Sequence, residues 1–297
     1  MKTITLSLAA MCFLGCAVSG PRSEPDASVQ DDFFPQAKLI MSKVESEIYL
    51  HLADAKARDE FIADFWKKRD PSSASEENEF KLEFYNRVAY ANRWFHERGP
   101  VANGWDSERG RILLVLGLPD RRDQMPMLNN PAVKAAEIWV YYDFSLRLEF
   151  LDRDGLGKFH LEYWPLELLD AIEQVRELGA GAGKKNYFRF KVNADASGLL
   201  IEIPAKYVTV EERGENIHTA FTITVDVYCD YVKIERITLA REFAESRDAF
   251  LARKTVVIAV PYAYPMPGKY FLDVIVEELA TRKRFREFAK FKQAESK

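Results

Sequence analysis

Cysteine is nearly missing from this chain of 297 residues: Cys12, Cys16 and Cys229 are the only three. A disulfide framework is therefore not expected, and the fold must stand on packing. A positive excess is missing too, because 42 Lys and Arg face 46 Asp and Glu, for a net charge of −4. No basic field exists to draw in phosphate backbones, so nucleic acid is not an expected partner. The four histidines, His51, His96, His160 and His218, lie far apart without paired ligand spacing, and no metal site is expected. Catalytic signatures are equally sparse. No Gly-x-Ser-x-Gly elbow occurs, and the stretch Gly179–Lys185 imitates a phosphate loop only in part, with Leu178 in place of the first glycine and Lys185 in place of the magnesium-binding hydroxyl. Neither a catalytic residue nor a cofactor is expected.

What is present is an ordinary globular composition, 47% hydrophobic, 13% aromatic and 30% charged. A chain this long usually divides into two domains. Residues 1–15 carry one cation, Lys2, and an apolar run, Ile4–Leu14, too short to span a bilayer as a permanent helix. Phe13-Leu14-Gly15-Cys16 resembles a bacterial lipobox, which implies cleavage before Cys16 and a lipid on that residue. The alternative is an ordinary secretory signal cut nearby; in both cases the chain leaves the cytoplasm. The residue after Cys16 is Ala17, not the Asp of inner-membrane retention, so the expected address is the bacterial envelope, as an outer-membrane lipoprotein with its body in the periplasm or at the surface. Residues 16–35 then read as a lipidated tether, polar and without periodicity.

Apolar residues recur at helical spacing over 36–52, again at Phe61, Ile62, Phe65 and Trp66, and again at Phe80, Phe84, Val88, Ala91 and Phe95, where Ser73 or Ser75 is the expected cap. The period then falls to two. Strands are expected at 111–116, 137–142, 147–151 and 159–163, the last two joined by a hairpin turn through Asp152–Gly157, and a short helix at 166–178. This predicts an α+β N-terminal domain over 36–178, helices packed on a small antiparallel sheet. A glycine-rich linker follows at 179–186, then an all-β immunoglobulin-like sandwich over 187–297. Its strands are expected at 188–192, 199–203, 220–229, 232–242, 254–260, 270–277 and 285–291. Cys229 continues the alternation Phe221, Ile223, Val225, Val227, which makes it a core residue.

The middle of the chain carries a motif. Gly104-Trp105-Asp106-Ser107-Glu108-Arg109-Gly110-Arg111, followed by Gly117-Leu118-Pro119-Asp120, resembles the GWxTD-domain family. Upstream Arg69-Asp70-Pro71 and Arg87–Asn92, and downstream Glu137, Trp139 and Tyr141, extend the likeness over roughly 36–165. Ser107 stands for the family's Thr and Glu108 for its Asp, each keeping a hydroxyl or a carboxylate. The resemblance implies a bacterial envelope protein of unestablished activity. Gly104, Trp105, Ser107, Glu108, Arg109, Arg111, Asp120, Glu137 and Trp139 form the candidate binding or structural set, with Arg109 or Arg111 expected to pair Asp120, Glu137 or Asp70. The expected role is a binding or scaffolding element, held on the membrane by its lipid and partnered by an envelope protein. The alternative is a carbohydrate-binding protein or hydrolase using exposed Trp105, Trp139 and Tyr141 as a stacking platform with Glu137 or Asp120 as acid or base.

Two or three acyl chains hold a protein on a bilayer durably, each buried CH₂ contributing about 0.8 kcal/mol. Cys16→Ser is therefore expected to move the protein from the membrane pellet to the soluble fraction. Retention in the pellet would count against the anchor.

Overall fold

The computed structural model describes residues 33–71, 77–97, 103–178, 190–214 and 216–294. Cys16, the tether up to residue 32, the Ser73 and Ser75 caps and the 179–186 linker lie outside the described residues.

The N-terminal half opens with helices α1 (Phe33–Ala37), α2 (Lys43–Leu50), α3 (Ala55–Arg69) and α4 (Glu79–Trp94). One helix was expected across 36–52, but the chain turns at Ser42. That residue is extended, its hydroxyl accepts from the Glu45 amide, and the Glu45 carboxylate accepts in return from the Ser42 amide. This capping box starts a new helix and splits the apolar stripe in two. Asn78 caps α4, accepting from the Lys81 amide, and its amide group also donates to the Trp66 carbonyl at the end of α3.

The expected strand at 111–116 is helix α5 (Glu108–Leu116). Ile112–Leu116 is a continuous apolar run, which suits a buried helix as well as a buried strand. Local chemistry decides between them: the Ser107 hydroxyl accepts from the Gly110 amide at the N-terminus, and Gly117 leaves the helix at φ 82°. Beyond it lies an antiparallel sheet in the order β1 (Arg121–Met125), β2 (Ala135–Tyr141), β3 (Leu146–Asp152) and β4 (His160–Leu161). Strand β1 was not anticipated. The Asp152–Gly157 turn forms as expected, the Asp152 carboxylate accepting from the amides of Gly155 and Gly157, both at positive φ. Trp139, Leu148 and Phe150 bury one sheet face against the helices, and α6 (Leu166–Leu178) closes the half.

The C-terminal half has two antiparallel sheets. One is ordered β10 (Thr255–Pro261), β6 (Gly198–Pro204), β5 (Lys191–Asp195). The other runs β12 (Lys283–Gln293), β11 (Gly268–Glu278), β8 (Asn216–Cys229), β9 (Val232–Ser246), with short β7 (Glu211–Arg213) beside the start of β8. Helix α7 (Arg247–Ala252) joins β9 to β10. Ile201, Ile203 and Ile258 from the first sheet and Phe221, Ile223, Val225 and Val274 from the second share one core. Cys229 is buried and free within it. Six of the seven expected strands are found at their expected places; the seventh, 188–192, lies partly outside the described residues, and β5 runs Lys191–Asp195; β7 and α7 are additions.

The two halves meet on charge. Glu45, Lys68 and Arg69 of the helices interlock with Asp226, Asp273 and Arg286 of the larger sheet, and all six side chains are buried. Arg69 and Arg286 hold Glu45 at 2.7 and 2.9 Å, Lys68 bridges Asp226 and Asp273 at 2.6 Å each, and Arg286 grips Asp273 at 2.6 Å. Three acids meet three bases, so the cluster is neutral. Burial alone would raise the acids, but Arg286 and Arg69 hold Glu45 down at about 2, and Arg236 and Lys68 do the same for Asp226.

Removing one member strands an opposite charge in the interior. Glu45→Gln or Asp273→Asn is expected to destabilise the chain by about 3–5 kcal/mol in urea unfolding. The unfolded chain takes up protons first, near 4.5 for Glu45, while the folded carboxyl holds out to about 2, so stability should fall as pH drops through that window. A flat profile would leave the cluster energetically idle.

Candidate functional site

The motif lies where α4, α5 and a 3₁₀ turn, Gly104–Asp106, cross at backbone contact. A Cβ on Gly104 would overlap the Ala91 carbonyl of α4, and one on Gly110 would overlap the Gly104 carbonyl. Only glycine fits at both. Ser107 then works twice, its hydroxyl donating to the Gly104 carbonyl at 2.7 Å and accepting from the Gly110 amide at 3.0 Å. The Glu108 carboxylate reaches the Leu161 amide at 2.6 Å and His160 Nδ1 at 3.0 Å, tying the start of α5 to β4. Ser for Thr and Glu for Asp thus preserve the cap and the tie. Trp105 is half-buried against the helical core, and its amide donates to Asn92.

Arg109, the second residue of α5, faces inward and meets the sheet. Its Nη1 donates to Glu137 at 3.0 Å, Nη2 lies 3.8 Å from Glu97, and the guanidinium sits 3.9 Å from the centre of the Phe159 ring. Glu137 also accepts from Arg122 Nε and from the Trp139 indole at 3.0 Å. Burial raises the Glu137 carboxyl, but the hydrogen bonds from Arg122, Trp139 and Arg109 hold it below the ordinary value. A carboxylate gripped this way is a fixed anion that orients two arginines. It is poorly placed to act as a proton carrier near neutral pH.

The candidate set therefore divides. Gly104, Trp105, Ser107, Glu108 and Arg109 stand together at the start of α5, with Glu137 and Trp139 brought against Arg109 by the sheet. Arg111 turns outward to Asp106 at 2.8 Å, and Asp120 accepts from the Tyr142 amide at 2.7 Å, so neither joins the cluster. Asp70 likewise lies outside it. The proposed stacking platform is absent: Trp139 and Tyr141 are buried, and the Tyr141 hydroxyl donates to the Gly117 carbonyl. Burial also pushes that phenol well above its ordinary value.

Beside the clamp lies an open groove of about 460 Å³, lined by Tyr90, Trp94, Arg109, Arg122, Met125 and Phe159 among others. The Trp94 side of it is 57% exposed. Arg122 spans both features, its Nη1 donating to the Tyr90 hydroxyl at 3.1 Å. Arg109 Nε is buried without an acceptor. The groove residues Tyr90, Trp94, Arg122 and Phe159 were not in the expected set. Tyr90 and Trp94 read as two more residues of a helix, and Arg122 lies in a strand too polar to be seen by alternation. No His, Cys, Asp and Glu cluster suited to a metal occurs among the described residues. No described helix is long and apolar enough to cross a membrane.

A family model described as the GWxTD domain matches residues 22–168, and the chain carries that domain. No curated protein and no solved structure matches the chain.

The crossing predicts an order of tolerance measurable by urea unfolding. Ser107→Thr and Glu108→Asp should change stability by less than about 1 kcal/mol, and Ser107→Ala should cost about 1 kcal/mol. Gly104→Ala should prevent folding or cost about 4 kcal/mol, because the backbone on both sides must move. Glu137→Gln belongs with the severe class, since it leaves two arginines facing each other.

Proposed function

We propose that this GWxTD-domain chain is an envelope-anchored lipoprotein that binds another envelope protein through the groove beside its motif. The observation that carries the reading is the groove itself: an exposed indole at its rim, a buried guanidinium nitrogen without an acceptor, and a rigid ionic floor. A polypeptide offers carbonyl groups to the partly exposed guanidinium of Arg122 and apolar side chains to Trp94 and Met125. Strand β1 is also the edge of its sheet, with β2 as its partner among the described strands, so an extended segment has backbone to pair with. The leader with Cys16 supports the membrane address. The alternating strands of the C-terminal half, set in two sheets on one core, support an immunoglobulin-like sandwich.

The clamp is structural, so Arg109→Ala confounds binding with folding. Trp94 is the cleaner probe, because its side chain is exposed. In intact cells, a photocrosslinking amino acid at position 94 is expected to yield discrete adducts identifiable by mass spectrometry. At matched expression, Trp94→Ala should lower recovery of the same protein by about tenfold with the unfolding midpoint unchanged. Adducts confined to glycan would replace the protein partner with a carbohydrate, and the absence of any saturable adduct would remove the groove as a binding site.

A further inference from the structure

Strand β9 forms one edge of the larger C-terminal sheet. Along 15 residues it pairs with β8 and with no other described strand, so the backbone groups of its far side have no strand to bond. A long edge of this kind is a template for another strand.

Its side chains restrict which strand. The core residues Phe221, Ile223, Val225 and Val227 of β8 stand opposite Arg241, Leu239, Ile237 and Glu235 of β9, which therefore share the inner face. Two charges flank two apolar residues there. Inward charges at an edge reject most registers and admit those that match them. The preceding basic residues are already engaged within the chain: Lys233 and Arg236 both pair Asp64 and Asp226. Arg241 donates to the Ala240 carbonyl and forms no ion pair among the described residues.

We infer that β9 pairs antiparallel with β9 of a second copy of this chain, centred on Thr238. In that register Ile237 stands opposite Leu239 of the second copy and Glu235 opposite Arg241, and the two-fold axis repeats both pairs. This centre gives Arg241, which has no ion pair of its own among the described residues, an acid opposite it on the inner face. A centre at Leu239 sets Ile237 against Arg241, and a centre at Ile237 sets Lys233 against Arg241. On the opposite face Thr238 meets its own copy and Ala240 stands opposite Arg236, which its pairs with Asp64 and Asp226 already hold within the chain. The pairing is closed, since each copy spends its β9 edge on the other. This surface lies in the other half of the chain from the groove, and neither reading depends on the other.

Sedimentation of the full chain in a mild nonionic detergent is expected to give a dimer. Arg241→Glu should weaken it about tenfold or more by setting two pairs of like charges face to face, and Glu235→Arg combined with Arg241→Glu should restore it. Under mild oxidation Thr238→Cys should form an intermolecular disulfide absent from the wild type. Glu242→Cys should not, because the two copies of that position would lie about 27 Å apart along the strands. A monomeric wild type, a dimer indifferent to the charge swaps, or equal crosslinking at both positions would overturn the pairing.

Discussion

Six buried charges between the two halves are the constraint on which the arrangement of this molecule depends. Each ion withdrawn from water carries a desolvation penalty of several kcal/mol, which is offset only when every charge has close partners of opposite sign. The cluster meets that condition by alternation: Glu45 lies between two arginines, and Lys68 between two aspartates. Three of its ion pairs cross between the halves, because Glu45 and Lys68 come from helices while their partners Arg286, Asp226 and Asp273 come from strands. Rotation of one half against the other would unpair several charges together. Tyr228 and Phe271 add apolar contact by reaching from the strands into the helical core. A neutral apolar seam would tolerate sliding, whereas an interlocked ionic seam specifies one orientation.

The motif works by the same economy at the scale of the backbone. Gly104 and Gly110 let three segments touch, the Ser107 hydroxyl satisfies amide and carbonyl groups freed at the crossing, and Glu108 fastens the new helix to a strand. None of these groups lines the groove. What lines the groove is Arg109, the residue that follows Glu108, together with Arg122, to which Glu137 couples it. The motif is thus architecture, and the chemistry it presents to a partner lies just outside the residues that define it.

The groove and the β9 edge impose different demands on a partner. The first has an exposed aromatic rim and a guanidinium in its wall, features that suit a polypeptide. The second has backbone groups available but guards them with charge, which rewards a strand of matching pattern. Two copies joined at β9 would carry two grooves. A partner able to reach both grooves would be held more firmly than by either alone.

The sequence by itself determined the elements whose side chains report their surroundings. Alternation from Phe221 to Cys229 revealed β8 and its core face, because a strand between core and solvent must alternate. Three-residue and four-residue steps from Phe80 to Phe95 revealed α4 for the corresponding helical reason. Glycine, serine and the carboxylate of the motif were legible as turn chemistry, and Arg109 as one half of an ion pair. Tertiary structure decided the rest. Ile112–Leu116 became a helix because a serine capped it; β1 formed from Arg121–Met125 because β2 lay ready to pair with it, not because its residues favour a strand. The acid facing Arg109 could have been Asp70, Asp120 or Glu137. The sheet delivered Glu137 from 28 residues away and turned Asp120 to a backbone amide instead. Local pattern records what each segment buries, while the partner of a buried charge depends on which segments the fold brings within about 4 Å.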